Sequence, residues 1–193
     1  MTPRLLVITG TSGVGKTTMS LKLESSFGFR KTAATDTVRE VLRTQFSISE
    51  IPALHRSSFQ KAGGNAIEDW QGTVDVVSEG VQAVIDRALR KGRDLLIEGV
   101  HFIPNRHVID AWRDSGGSAT GVVLFVDNKD RHREMIAKRE KHNGKKVRHY
   151  LENFERIRKI QKKMIESGLE SDWILMDPTK EIDPAGIISV GMD

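Results

Sequence analysis

The sequence has 193 residues, with 30 lysines and arginines against 26 aspartates and glutamates, a formal net charge of +4 and no cysteine. This length suits one domain with a sizeable core, and the lack of cysteine excludes disulfides and thiolate metal sites. No run approaches the roughly 18 apolar residues of a membrane span, and the N-terminus leads straight into a predicted strand with no signal peptide. The prediction is a cytoplasmic protein with a single domain over residues 1–193.

The first predicted strand, RLLVITG at 4–10, leads into a glycine-rich loop and then a helix over 16–27. The loop matches the phosphate-binding motif G-x-x-x-x-G-K-[ST], and its strand–loop–helix setting is the one this motif requires. The residues predicted to bind a nucleotide are Gly10, Thr11, Ser12, Gly13, Val14, Gly15, Lys16, Thr17 and Thr18.

The chemistry of this loop predicts binding of a nucleoside triphosphate. Backbone N–H groups of the loop and the positive end of the helix dipole would hold phosphate oxygens. Lys16 would reach the β- and γ-phosphates, and the Thr17 hydroxyl would bind Mg²⁺.

A short second strand, FRKTAA, brings Asp36 to its end, and a helix TVREVLRTQ with Val38, Val41 and Leu42 facing inward follows. Asp36 would orient or deprotonate an acceptor hydroxyl, or would only cap the helix. Arg39 and Arg43 share one face of that helix. They would bind anionic groups bidentately, or would form a solvated face paired with neighbours such as Glu40.

Residues 47–73 combine a proline, paired glycines and scattered apolar positions, which predicts short helices in a substrate-side insertion that includes His55 and Arg56. An amphipathic helix over 74–91 and a buried strand DLLIEG follow. Glu98 at the end of that strand would help to hold Mg²⁺, or would serve as a helix cap or ion-pair partner. His101 would donate to an anionic substrate, or be an ordinary loop histidine.

A helix over 108–115 and an apolar strand GVVLFVD precede a charged helical segment over about 130–167, with a break at Asn143-Gly144. Residues from about 128 to 150 are predicted to form a lid. Arg131, Arg133 and Arg139 would neutralise the γ-phosphate, or would be a solvated helix face. The cluster of basic residues between Arg131 and Lys163 also suggests nucleic-acid binding as an alternative.

A final strand DWILMD completes an alternation of strands and helices. This order predicts a three-layer α/β/α P-loop NTPase fold with a five-stranded parallel sheet and a helical lid. Ligands bind beyond the carboxyl ends of the strands in such sheets.

The segments GTSGVGKTT, TDTVREVLR, LHRSSF, the run from VQAVIDRALR to LLIEGVHFIP, and YLENFERIRKIQ resemble the archaeal 2-phosphoglycerate kinase family. The similarity extends from about Leu5 to Met164. It implies an adenylate-kinase-like fold and transfer of phosphate from ATP, with Mg²⁺, to the 3-hydroxyl of 2-phosphoglycerate, which gives 2,3-bisphosphoglycerate. Members of that family often carry an extra N-terminal domain, which this sequence is expected to lack.

An acceptor with a phosphate, a carboxylate and a hydroxyl suits one carboxylate and several cationic side chains. The predicted substrate-binding residues are Asp36, Arg39, Arg43, His55, Arg56, Glu98, Gly99, His101 and Arg148. A nucleoside monophosphate or another polyol phosphate is the alternative acceptor, although the few aromatic residues favour a non-nucleotide. Only weak, non-specific nucleic-acid binding is expected.

Overall fold

A computed structural model describes residues 2–143 and 147–191, without the side chains of residues 140–143. Five strands form one sheet: β1 (Arg4–Gly10), β2 (Thr32–Ala34), β3 (Leu95–Gly99), β4 (Ser118–Leu124) and β5 (Ile174–Met176). Their order across the sheet is β2-β3-β1-β4-β5, and every neighbouring pair is parallel. The predicted five-stranded parallel sheet is therefore confirmed.

The helices of the described chain are α1 (Lys16–Phe27), α2 (Thr35–Arg43), α3 (Ala66–Arg90), α4 (Arg106–Asp114), α5 (Lys129–Asn143), α6 (Val147–Glu152), α7 (Phe154–Glu170) and α8 (Pro184–Ser189), with a 3-10 turn at Pro52–His55. The predicted break at Asn143-Gly144 is not tested, because residues 144–146 lie outside the described residues. No helix in the described ranges is both long and apolar enough to cross a membrane.

The central strand β1 supplies side chains to two separate cores because alternate residues of a strand point to opposite faces. Leu5 and Val7 belong to the core under α3, α4 and α7. Leu6 and Ile8 belong to the core that includes α1 and α8. All four side chains are buried, as expected for a strand with helices on both faces.

The long helix α3 begins at Ala66, eight residues before the predicted start at Val74. The Asn65 side chain accepts hydrogen bonds from the backbone N–H groups of Ile67 and Glu68, and the Glu68 carboxylate accepts from the Asn65 backbone, which forms a capping box. The prediction that residues 66–73 form short helices and loops is wrong, because this box nucleates the helix directly after the paired glycines.

The helix α2 also differs from its prediction. It begins at Thr35, and its N-cap is Ala34 without a capping side chain, so Asp36 lies in the first turn rather than at the cap. Val38 and Leu42 pack on the core as predicted, but Val41 is 59% exposed, since it lies one position too far around the helix to face the core.

Candidate active site

The registers of the sheet bring the ends of three strands to one edge. Ile8 of β1 lies opposite Glu98 of β3, and Glu98 lies opposite Ala34 of β2. The loop after β1, the carboxylate at the end of β3 and the start of α2 therefore lie side by side at the carboxyl edge of the sheet, where parallel sheets bind ligands.

The phosphate loop turns at two glycines with left-handed backbones. Gly13 has a φ of 82° and Gly15 a φ of 87°, a region that glycine adopts without strain. A Cβ at Gly13 would lie 2.3 Å from Ile136 Cγ1, so this loop packs directly on α5. The Lys16 Nζ donates to the Thr11 carbonyl at 2.8 Å, and burial lowers the pKa of Lys16 to about 8 although Glu98 and Asp36 oppose the shift.

Thr17 and Glu98 form the pair that fits a magnesium ion. The Thr17 hydroxyl donates to Glu98 Oε1 over a long 3.4 Å. Burial raises the pKa of Glu98, which Lys16 partly offsets, so a nearby cation would stabilise its ionised form. No three His, Asp or Glu side chains in the described chain group together as a metal cage. Two oxygen ligands beside a phosphate loop match the way Mg²⁺ binds together with substrate phosphates.

Asp36 and His101 lie together across the edge from the loop. The His101 Nδ1 is 3.6 Å from Asp36 Oδ1 and 3.2 Å from the Thr35 hydroxyl. The glycine at 99 makes this approach possible, because a Cβ there would lie 1.8 Å from Thr35 Oγ1. The loop that carries His101 is held by the Thr9 hydroxyl, which bonds to the carbonyls of Gly99 and Phe102.

The protonation of His101 follows from its surroundings. Burial lowers its pKa to about 4, so the ring is neutral at physiological pH. Nδ1 faces both the Thr35 hydroxyl and the Asp36 carboxylate, so whether it donates or accepts depends on the tautomer. In the tautomer in which Nδ1 accepts the Thr35 proton, Nε2 carries the ring N–H, and the buried Nε2 has no partner among the described residues.

Arg39 joins this group from the second turn of α2. Its side chain is 19% exposed, lies 3.8 Å from Asp36 Oδ1 and donates to the carbonyl of Arg56. Its Nε is buried without a partner in the described chain, as is the Thr11 hydroxyl of the phosphate loop. These two atoms and His101 Nε2 are the buried side-chain polar atoms that lack a partner in the described ranges, and all three belong to the candidate site residues. A bound ligand or an ordered water would supply the missing hydrogen bonds at these three atoms.

A cavity of about 700 Å³ opens on the other side of the loop, between α5 and the segment after β5. It is lined by Gly13, Gly15, Thr18, Arg131, Glu134, Met135, Lys138, Arg139, Pro178 and Thr179. Asp177 shapes the far wall, since its carboxylate accepts hydrogen bonds from the backbone N–H groups of Asp127 and Thr179. The candidate site therefore has a cavity at the phosphate loop and a separate group of polar side chains at α2.

Curated proteins with similar sequences include 2-phosphoglycerate kinases of several archaea. The chain is 28% identical over 181 residues to the 2-phosphoglycerate kinase of Methanococcus maripaludis, a match that covers 87% of this chain and 57% of the relative. It is 30% identical over 173 residues to that of Methanocaldococcus jannaschii, covering 86% and 55%. No protein-family model matches this sequence.

The chain is homologous to the archaeal 2-phosphoglycerate kinases. The resemblance drawn from the sequence motifs is confirmed, and the chain spans a little over half the length of these curated relatives. Among solved structures, shikimate kinase from Acinetobacter baumannii superposes with a TM-score of 0.53 at 16% identity, covering 98% of this chain and 93% of that one. That likeness establishes a P-loop kinase fold.

Several of the predicted substrate-binding residues bond elsewhere in the described chain. The Arg43 guanidinium binds the Glu40 carboxylate, and His55 Nε2 contacts the carbonyl of Phe46. The Arg148 side chain is 87% exposed and pairs with Glu152.

Two of the three predicted lid arginines line the cavity, and the third contacts other groups. Arg131 and Arg139 line the cavity beside the phosphate loop, and the Arg139 guanidinium also lies 5.3 Å from the Tyr150 ring. The Arg133 guanidinium instead lies 4.3 Å from the Phe154 ring and pairs with Asp130.

Sequence reasoning missed two parts of this site. Pro178 and Thr179 line the cavity, and their position directly after the last strand could have marked them. His132 contacts the phosphate loop itself, but its partner is a backbone carbonyl 120 positions away, for which the sequence holds no signal.

Proposed function

We propose that this chain is an ATP- and Mg²⁺-dependent kinase that transfers the γ-phosphoryl group to a hydroxyl of a small phosphorylated acid. The first candidate acceptor is 2-phosphoglycerate, and the product would be 2,3-bisphosphoglycerate. The observation that carries this proposal is that two groups lie side by side at one edge of the sheet. One is the phosphate loop, with Thr17 next to Glu98, and the other is formed by Asp36, His101 and Arg39.

The loop side would hold the nucleotide. Backbone N–H groups of residues 10–18 bind its phosphates, and Lys16 moves from the Thr11 carbonyl to the β- and γ-phosphates. The cavity beside Met135 and Pro178 accommodates the rest of the nucleotide. Thr17 and Glu98 would hold Mg²⁺, which would neutralise charge on the phosphates.

The α2 side would hold the acceptor. The Asp36 carboxylate orients its hydroxyl and takes the proton as the oxygen attacks. A bond forms between that oxygen and the γ-phosphorus, while the bond from the γ-phosphorus to the β–γ bridging oxygen breaks and ADP leaves. Arg39 and the neutral His101 Nε2–H bind the carboxylate or phosphate of the acceptor, which satisfies both buried orphan nitrogens.

We propose that residues 47–73 form the substrate side of a single domain over 1–193, and that a lid lies within about 128–150. Its arginines Arg131 and Arg139 stabilise the migrating phosphoryl group from the cavity wall.

The charge pattern of the basic segment supports a small acceptor over nucleic acid. Its arginines and lysines are interleaved with acids, as in the pairs Arg131–Glu134, Arg133–Asp130 and Lys162–Glu166. Such pairs lower the net positive potential that non-specific nucleic-acid binding requires.

A panel of acceptors with labelled ATP and Mg²⁺ tests the proposal. The panel contains 2-phosphoglycerate, 3-phosphoglycerate, shikimate, nucleoside monophosphates and a polyol phosphate, and the readout is labelled product resolved from phosphate. We expect 2-phosphoglycerate to have the highest kcat/KM.

Two outcomes would count against this proposal. Preference for a nucleoside monophosphate or a non-phosphorylated acceptor would overturn the assigned substrate class but keep the kinase. Absence of MgATP binding by calorimetry would overturn the kinase itself. Binding to an oligonucleotide with a steep salt dependence, with no transfer to any acceptor, would favour the nucleic-acid alternative.

A further inference from the structure

His132 makes a contact that the proposed reaction does not use. It lies in the first turn of α5 and is fully buried, and its Nε2 is 2.8 Å from the carbonyl oxygen of Ser12 in the phosphate loop. The ring packs edge-on against Phe154 with centroids 5.4 Å apart. The His132 side chain is therefore held by two contacts, the hydrogen bond to the phosphate loop and the packing against Phe154.

The neighbours of His132 determine which nitrogen carries the proton. The Arg158 Nη1 lies 3.5 Å from Nδ1, and the same guanidinium donates to the carbonyls of Val126 and Asp127. A guanidinium has no acceptor, so Nδ1 must present its lone pair. Nε2 then carries the N–H that the Ser12 carbonyl accepts. Burial lowers the pKa of His132 to about 4, which keeps this neutral form at physiological pH.

The bond to Ser12 orients one peptide of the loop. In a trans peptide the carbonyl of one residue and the N–H of the next point in opposite directions. Because the Ser12 carbonyl points to His132, the Gly13 N–H points away from α5. One turn further along α5, Ile136 closes the same side of the loop, since a Cβ at Gly13 would lie 2.3 Å from its Cγ1.

We infer that His132 is a positioning residue of the phosphate loop, which holds the Ser12–Gly13 peptide so that the Gly13 N–H is available to a nucleotide phosphate. This inference rests on the proposed nucleotide binding, but it does not depend on the acceptor. It adds a residue outside the loop motif to the machinery that binds phosphate. It also shows that one face of α5, with His132 and Ile136, packs on the loop, whereas Arg131 and Arg139 of the same helix line the cavity.

Two substitutions separate the hydrogen bond from the volume of the ring. His132→Leu fills the space without a donor, whereas His132→Gln keeps an N–H donor at about the reach of Nε2. Calorimetry measures the Kd for MgADP, without any acceptor. We expect His132→Leu to raise this Kd about tenfold, because one buried carbonyl loses its partner and the loop loses its preset orientation. We expect His132→Gln to stay within about threefold of the parent.

A matched control distinguishes positioning from general loss of stability. Ile85→Ala removes buried volume from α3, where Ile85 is 3% exposed and belongs to the core. It should lower Tm at least as much as His132→Leu and leave the Kd for MgADP unchanged. The inference is overturned if His132→Leu binds MgADP as the parent does, if His132→Gln is as weak as His132→Leu, or if Ile85→Ala weakens binding equally.

A spectroscopic measurement on the parent keeps the inference testable if His132→Leu does not fold. Nitrogen NMR of the imidazole ring should report the neutral tautomer with the proton on Nε2, and the Gly13 amide should shift on addition of MgADP. A proton on Nδ1, or an unperturbed Gly13 amide in the bound state, would overturn it. If the parent bound no MgADP, the proposed function would fail. If the parent bound MgADP and His132→Leu had the same Kd, only the inference about His132 would fail.

Discussion

The two sides of the candidate active site are built in different ways. The phosphate loop is closed by contacts within the protein: Lys16 bonds to the Thr11 carbonyl, His132 bonds to the Ser12 carbonyl, and Ile136 packs on Gly13. One buried side-chain atom of the loop, the Thr11 hydroxyl, has no partner in the described chain, whereas the acceptor side has two unpartnered nitrogens at close range. His101 Nε2 and Arg39 Nε are buried there without partners in the described chain.

This difference indicates how each half would work. A loop whose peptides are already oriented binds phosphate with little reorganisation. A cluster with buried orphan donors gains a hydrogen bond for each donor that a ligand satisfies, and it penalises ligands that leave them empty. Nucleotide binding should therefore depend on the backbone of the loop and what holds it, whereas selection of the acceptor should depend on single side chains.

The largest expected effect is on the loop side. Lys16→Ala should lower kcat on the order of 10³- to 10⁴-fold while the fold remains intact, because the ammonium stabilises charge that moves in the transition state. Steady-state kinetics and circular dichroism measure the two properties. Lys22→Ala, at an exposed position of α1, is the matched control and should leave kcat unchanged. A kcat within tenfold of the parent would remove Lys16 from the transfer step.

The next effect is on the acceptor side. Asp36→Asn should lower transfer to the acceptor on the order of 10²- to 10³-fold through loss of the base, with the Kd for MgADP unchanged. Slow hydrolysis of ATP by water should persist, and it can be followed by phosphate release without acceptor. Asp75→Asn, the same change at an exposed position of α3, serves as the control. Near-normal transfer by Asp36→Asn would mean that Asp36 only favours the start of α2.

A smaller effect, on the KM for the acceptor, should distinguish the acceptor side from the nucleotide side most directly. His101→Leu removes the orphan donor and should raise the KM for the acceptor about twentyfold, the loss expected for a hydrogen bond to a charged group. The Kd for MgADP should not change, because His101 lies on the acceptor side. His101→Gln, which retains a donor, should recover most of the loss. A raised Kd for MgADP with an unchanged acceptor KM would reverse the assignment of His101.

The sequence predicted the phosphate loop and the parallel sheet because both depend on local signals. The glycine spacing of the loop is contiguous, and the strands are short apolar runs whose order along the chain limits the topology. Glu98 and Asp36 were predicted for the same reason, since residues that follow strands in such a sheet meet at one edge. The sheet and the meeting of these strand ends are confirmed, whereas the roles of Glu98 and Asp36 stay predictions.

Features that depend on distant contacts were beyond such reasoning. The start of α3 is a different case: it was missed although the Asn65 and Glu68 pair of its capping box is a local signal in the sequence. The predicted lid begins at about residue 128, yet His132 and Ile136 are fixed to the phosphate loop. Neither contact leaves a pattern in the sequence. His132 bonds to a backbone carbonyl, which every residue has, and Ile136 packs in the space that Gly13 leaves because it has no side chain.

The smallest predicted effect concerns the pH dependence of folding through His132. Its pKa is lowered to about 4 by burial, and the charges that face it are Arg158 and Lys16, which lower it further, and Asp177, which raises it. The unfolded chain, with a histidine pKa near 6.5, therefore binds the proton more readily than the folded chain, so stability falls as the pH drops from 6.5 towards 4.

Between pH 6.5 and 5.5 this histidine should account for about 1 kcal/mol of that loss, or about 2–4 °C in Tm. His132→Gln has no such proton to bind, so its stability should fall less steeply over the same interval. Urea unfolding of parent and variant at both pH values measures the difference, and the other histidines cancel because they are present in both. Parallel pH curves for the two proteins would show that His132 binds its proton equally well in the folded and the unfolded chain, which contradicts a pKa lowered by burial in the fold.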